Sequence, residues 1–281
     1  MHESPSVERL LERAVGSLTG PGCPPRLAAA IRHAVLGGGN RLRPRLCLAV
    51  AAALRPANLR AAEQAAVAVE LLHCASLVHD DLPCFDDAPT RRGRPSVHHA
   101  FGEPLAVLAG DALIVAAFDA LSTVRAPDGA VAAALAALLA RAAGTREGIT
   151  AGQAWEDEEQ IDLDRYHQAK TAALFEAATT MGACAAGDDP ERWRELGRRI
   201  GRSYQLADDL RDAGGDERTL GKPVGRDAVL GRPNAAHALG PTGAVARLEE
   251  LLAGVPRTVP ECPGRSELLE FLERLLAKFR P

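Results

Sequence analysis

Aromatic side chains are scarce in this chain, at 4% of 281 residues, with two Trp and two Tyr. Runs of β-branched residues are scarce too, so there is little to build a sheet from. No segment alternates apolar and polar residues as a half-buried strand does, and no strand–helix–strand rhythm recurs. Both absences argue against a Rossmann-type fold. Long apolar runs are also missing. The longest uninterrupted one, AVAAALAALLA at 130–140, is too short to span a bilayer. Asp111 interrupts the other candidate, LAVLAGDALIVAAF at 105–118, so no transmembrane segment is expected. The six cysteines (Cys23, Cys47, Cys74, Cys84, Cys184, Cys262) form no C-x-x-C pair and no zinc-finger spacing with histidine. The first residues, MHESPSVERLLERAV, carry no apolar signal region. Together these predict reduced thiols in a cytoplasmic protein. Nor is there an excess of basic charge: 33 Lys and Arg face 37 Asp and Glu, for a net charge of −4. That weighs against a nucleic-acid partner.

What is present is helix-forming. Ala, Leu, Arg and Glu dominate, and they are among the strongest helix formers. Apolar residues recur at helical spacing over 61–81, 103–121, 130–153, 165–186, 191–212 and 266–279. Turn-forming stretches separate them: PGCPP (21–25), GGGN (37–40), APDG (126–129), GDDP (187–190) and GGDERTLGKPVG (214–225). No linker or internal repeat stands out. The reading is one domain over 1–281, an all-α bundle of about ten helices.

The most informative stretch is LVHDDLPCFDDAPTRRGRP, 77–95. An apolar helix runs into Asp80 and Asp81, Pro83 disfavours helical geometry at Leu82, and Asp86 and Asp87 follow. At about 5 Å and an effective dielectric of about 20, each like-charged pair costs about 3 kcal/mol. A hard divalent cation among the oxygens relieves that repulsion, and Mg²⁺ selects carboxylate oxygen. A solvated acidic loop is the plainer alternative. A second cluster, YQLADDLRD at 204–212, sets Asp208 and Asp212 on one helical face, with Asp209 turned away from them. Two such clusters on apolar helices point to a metal site between facing helices.

Acids of this kind call for a ligand carrying phosphate, and phosphate binders are present. Arg41, Arg43 and Arg45 follow GGGN; Arg91 and Arg92 precede Gly93; Lys170 and Thr171 lie in YHQAKTAALF; Lys222 lies in LGKPVGRD. Arginine grips phosphate with two parallel donors, and lysine acts as a point charge. Singly, each reads as a surface or salt-bridge residue. Together they describe a cavity with two anion sites, one bridged by metal and one direct.

HCASLVHDDLPCFDDAPTRRGRP, YQLADDLRD and GGGNRLRP closely resemble the two aspartate-rich motifs and the GGKRxRP motif of the trans-isoprenyl diphosphate synthases. HQAKTAALF, GITAGQ (148–153) and LGKPVGRD match further landmarks in the same order. The resemblance covers roughly residues 30 to 235. The wording of several stretches is most like the geranylgeranyl diphosphate synthases of carotenoid- and bacteriochlorophyll-making bacteria.

The resemblance implies an isoprenoid-synthase bundle around a central apolar cavity and a Mg²⁺-dependent prenyltransferase acting as a homodimer. About three Mg²⁺ ions are implied. Asp80 and Asp86 would hold metal with Asp81 supporting; Asp208 would hold another with Asp209 and Asp212 supporting. An allylic diphosphate would meet Arg91, Lys170 and Lys222, and isopentenyl diphosphate would meet Arg43, His73 and Arg92, with Thr171 and Gln205 near the reacting carbons. One position departs from the pattern: Asn40 replaces the family lysine. That removes a charge from the isopentenyl diphosphate side and leaves Arg41 or Arg45 to compensate.

Product length is read along the helix that ends at Asp80. Ala75 and Ser76 stand where bulky aromatics stop growth at farnesyl in the family, and both are small. Phe118 is the candidate floor. The expected product is geranylgeranyl diphosphate, with farnesyl diphosphate as the alternative; a terpene cyclase and a catalytically silent subunit are the rival classes. His79, His98 and His99 have no metal partner at usable spacing and read as structural. Trp155 reads as surface or interface, and EDEE (156–159) as a solvated face.

Overall fold

The computed structural model describes residues 6–56, 59–124, 129–214 and 235–280. These are almost wholly helical: α1 (Val7–Leu18), α2 (Pro25–Leu36), α3 (Leu42–Ala53), α4 (Arg60–Asp80), α5 (Val97–Phe101), α6 (Glu103–Ser122), α7 (Ala130–Ala143), α8 (Ile149–Ala154), α9 (Leu163–His167), α10 (Ala173–Ala185), α11 (Arg194–Gly214), α12 (Ala235–Gly254) and α13 (Arg265–Leu276). The sheet content of the described residues is one antiparallel hairpin, β1 (Thr90–Arg91) with β2 (Arg94–Pro95). Its two turn residues, Arg92 and Gly93, both have positive φ, as the tight turns of β-hairpins require.

At the centre α4 packs on α6, α3 and α10, and α10 packs on α11. Small side chains make this close approach possible: Ala65, Ala66, Ala68, Ala75, Ala106, Ala109, Ala177 and Ala178 are all buried. Larger side chains, including Trp193, Phe175, Leu72 and Leu113, fill the remaining core, each stabilising by roughly 1.5–3 kcal/mol.

The structure refines three sequence expectations. The run 130–153 is two helices, because the chain turns between Gly144 and Gly148. The run 165–186 is continuous but contains a π turn, Gln168–Ala172. By length and mean hydropathy, both α4 and α6 are apolar enough to cross a membrane, although charged residues interrupt them. Packing separates the two. In α4, 67% of the apolar window is buried inside the protein, as in a core helix; in α6 the share is 33%.

Candidate active site

The ends of α4 and α11, the loop after α4, the β1–β2 hairpin and the π turn enclose one cavity of about 930 Å³. At the end of α4 the backbone folds back on itself. The Asp86 N–H donates to the Asp80 carbonyl at 2.9 Å, and the Asp87 N–H to the Leu82 carbonyl at 3.0 Å. This return places Asp86 beside Asp80 on the cavity wall. Asp208 and Asp212 reach the same wall from α11, one helical turn apart.

In each Asp-Asp pair the second member turns inward. Asp81 and Asp209 are both 2% exposed, and neither lines the cavity. Asp81 holds Arg91: the guanidinium Nε donates at 2.9 and 3.2 Å, and Nη2 makes a further bond. Arg91 Nη2 also reaches Asp80 Oδ2 at 3.5 Å and Asp86 Oδ2 at 3.9 Å. Burial pushes the Asp81 carboxyl up, against the pull of Arg91. Asp209 instead accepts from Gln205 Nε2 at 2.7 Å, and Gln205 Oε1 accepts from the Thr171 hydroxyl. His167 Nε2 lies 3.8 Å from Asp209 Oδ2.

The π turn presents two consecutive side chains, Lys170 and Thr171, to the cavity. It is clamped from both sides by close backbone approach. A methyl group at Gly152 of α8 would overlap the Lys170 backbone, and one at Gly201 of α11 would overlap Ala172. Lys170 Nζ donates to Asp80 Oδ1 at 3.3 Å and to Glu156.

Glu156 corrects a sequence expectation. Within EDEE, Asp157, Glu158 and Glu159 are exposed as a solvated face should be, but Glu156 turns in, with its side chain 11% exposed. It accepts from Tyr166 Oη at 2.6 Å and from Gln153 Nε2 at 2.8 Å. Its carboxylate oxygen lies within 4.8 Å of oxygens of Asp80 and Asp86. The helical end of α8 turns it inward, which a run of four acids does not announce. The available signal was its place three residues after Gln153, at the end of the GITAGQ landmark.

On the basic side, Arg43 and His73 line the cavity as a pair, with Nη1 3.2 Å from Nε2. Arg43 also stacks over Phe175, 4.5 Å from the ring centre. Burial and the nearby guanidiniums of Arg43, Arg92, Arg91 and Arg41 hold His73 well below its ordinary value, so it is neutral. Arg92 is tied to the Gly38 carbonyl, which joins the hairpin to the GGGN loop. Asn40 lines the cavity and is exposed. Arg41 is not spare charge: it bonds Glu70 at 2.8 Å, Glu8 at 2.9 Å and the Val35 carbonyl at 2.6 Å. Arg41 lines the cavity with its charge shared among these partners, and Arg45 is exposed and does not line it.

Ala75 and Ser76 line the apolar part of the cavity with Leu72, Ile114 and Leu174. Phe118 does not. It packs against the core from α6, and the α6 side chain on the cavity wall is Ile114, one turn earlier. The sequence reading also missed Lys278 and Phe279, which a short turn after α13 brings to the cavity. Lys222 lies outside the described residues.

The polyprenyl synthetase family model matches residues 24–253, and the chain belongs to that family. It is 50% identical over 275 residues to the geranylgeranyl diphosphate synthase of Cereibacter sphaeroides, covering 98% of this chain and 96% of the relative. Among solved structures, an apo FPP/GFPP synthase from Zymomonas mobilis superposes with a TM-score of 0.82 at 31% identity, covering 96% of each chain. A geranyltransferase from Helicobacter pylori, complexed with magnesium and isoprenyl diphosphate, matches with a TM-score of 0.80 at 28% identity, covering 99% of this chain and all of that one.

Proposed function

We propose that the protein joins isopentenyl diphosphate head-to-tail to an allylic diphosphate and releases geranylgeranyl diphosphate. One observation carries the reading: the same cavity is lined by a carboxylate cluster and by Arg43, His73 and Arg92. A terpene cyclase has one diphosphate to bind and no use for the second, basic set. A silent subunit would have lost acids, and here Asp80, Asp86, Asp208 and Asp212 all face the cavity.

The donor set fits Mg²⁺. Oxygens of Asp80, Asp86 and Glu156 lie within 4.8 Å of one another, and oxygen-only sites suit this hard ion. Asp80, Asp86, Asp208 and Asp212 would hold about three ions between them, with Asp81 and Asp209 supporting from behind. Bound there, Mg²⁺ supplies positive charge against a departing diphosphate. Lys170, Arg91 and Lys222 add their own charge to the same leaving group. Arg43, His73 and Arg92 orient isopentenyl diphosphate, and neutral His73 donates or accepts without adding charge. Thr171 and Gln205 stand beside the reacting carbons. The apolar wall keeps water from the allylic cation. The double bond attacks, and the proton lost afterwards goes to the departing diphosphate.

A second copy of the chain belongs against α6, where Val107, Leu108 and Val115 are 42%, 51% and 69% exposed. The six free thiols suit a reducing compartment such as the cytoplasm.

The test is a product assay with labelled isopentenyl diphosphate, Mg²⁺, and dimethylallyl, geranyl or farnesyl diphosphate in turn. Geranylgeraniol after dephosphorylation, abolished by EDTA, is the expected result. Farnesol alone would keep the reaction and move the floor towards Ser76. No condensation with any starter would overturn the proposal. Ser76→Phe should shift the product to a shorter chain; an unchanged profile would remove α4 as the ruler.

A further inference from the structure

Behind the first aspartate-rich loop sits a cluster that the cavity leaves unused. Asp87, His98 and His99 each offer one ligand atom, and these atoms lie within 4.8 Å of one another. None of the three residues lines the cavity. Along the chain the two histidines lie eleven and twelve residues after Asp87, outside any local helical or turn spacing. The hairpin closes that gap: the Ser96 N–H donates to the Pro89 carbonyl at 3.0 Å, which returns the chain beside the loop just before α5 begins.

His98 is the informative member. It is 8% exposed. Its Nδ1 lies 3.0 Å from the hydroxyl of Ser96, itself buried. Its Nε2 has no hydrogen-bond partner. Asp87 Oδ1 stands 3.6 Å from that Nε2, too far for a hydrogen bond. The His99 ring packs edge-on against His98, with centroids 4.6 Å apart. His99 and Asp87 are both exposed, so the buried nitrogen sits at the base of a cluster open to solvent.

We propose that Asp87, His98 and His99 form a binding site for a divalent transition-metal ion of the zinc class, separate from the carboxylate site in the cavity. In the tautomer whose Nδ1–H donates to Ser96, the His98 Nε2 lone pair faces the Asp87 carboxylate 3.6 Å away. Two electron-rich atoms then face each other, and a cation between them resolves the repulsion. Metal-bound histidines fix their tautomer by donating the other ring N–H to an oxygen acceptor behind the ring, and the Ser96 hydroxyl oxygen is such an acceptor here. Two imidazoles and one carboxylate are a zinc-type donor set with a fourth position for water. Mg²⁺ prefers oxygen and keeps its waters, so the two sites select different ions. An ion here ties the loop carrying Asp86 to α5.

The experiment uses the full chain, free of affinity tag and stripped of metal, dialysed against Zn²⁺ in excess Mg²⁺. The wild type should retain one more Zn²⁺ per chain than His99→Ala, and Asp87→Asn should weaken that ion by about tenfold or more. Cu²⁺ bound in place of Zn²⁺ should show nitrogen hyperfine coupling in the wild type that His99→Ala reduces. His98→Gln removes a buried group and risks misfolding, so the exposed His99→Ala carries the test. Equal Zn²⁺ retention in wild type, His99→Ala and Asp87→Asn would place the ion among the cavity carboxylates and overturn the proposal. So would no Zn²⁺ retained by the wild type.

Discussion

The two aspartate pairs read alike in sequence but are held in different ways. In both, the first Asp faces the cavity and the second is buried behind it, as two neighbours on a helix about 100° apart must be. The routes to the third Asp differ. On α11 the helix simply continues to Gly214, so Asp212 follows Asp208 one turn later. On α4 the helix stops, and a backbone bond from Asp86 to the Asp80 carbonyl brings the third acid back. The partners differ as well. The first pair is wrapped by cations, with Arg91 on Asp81 and Lys170 on Asp80. In the second, Asp209 accepts from Gln205 and lies 3.8 Å from His167. A cavity-facing acid can therefore have a matching role in both motifs, while the acid behind it does different work: one orients a guanidinium, the other a glutamine amide.

The largest expected effect tests the likeness. Asp80→Ala and Asp208→Ala should each lower kcat by about a thousandfold or more, as loss of a metal-holding group does; steady-state kinetics at saturating Mg²⁺ decides it. A mild Asp208 variant would mean that the second motif does not share the work of the first. The next effect tests the difference. Asp81→Asn should cost about a hundredfold, because it removes the charge that pairs with Arg91, and Asp209→Asn only about tenfold, because the neutral Gln205 amide loses no charge partner. Equal losses would show that the two buried acids do the same work. Glu156→Gln belongs with the first pair, since it frees Lys170. It should lower kcat by about tenfold, with Glu156→Asp recovering part of the loss.

The smallest effect concerns acid stability on the cation-rich side. His73 is held well below its ordinary value by burial and four arginines. Its folded form binds a proton less readily than the unfolded chain, so its contribution is fully present above about pH 6.5. It is lost as pH falls from there towards the folded value, at no more than about 1.4 kcal/mol per pH unit. Urea unfolding from pH 7 to pH 5 should show a shallower decline for His73→Gln than for the wild type. Parallel declines would show that other groups control acid stability.

Much of the site was legible because its chemistry is local. Asp80 and Asp81 sit at the end of one helical pattern, Arg91 and Arg92 in one hairpin, and Asp208 and Asp212 on one helical face. Helical spacing alone puts Asp208 and Asp212 together. What was missed depends on contacts between distant segments. Glu156 looked like its exposed neighbours until the turn after α8 aimed it at Asp80. Arg41 looked like free charge until Glu8 and Glu70 closed on it from α1 and α4. Phe118 lies on the expected helix, but its distance along α6 places Ile114 on the wall instead.

The sequence by itself determined the helical class, the two acidic clusters and the small residues beside them, because periodicity and residue type act over a few turns of chain. Only the tertiary structure decided which member of each Asp pair faces the cavity and which holds its neighbour. It also inserted the π turn that turns Lys170 and Thr171 inward together, and brought Asp87 to His98. Those choices depend on how closely one helix or loop can approach another, and that distance is set by side chains that are remote in sequence and in contact only once the bundle has closed.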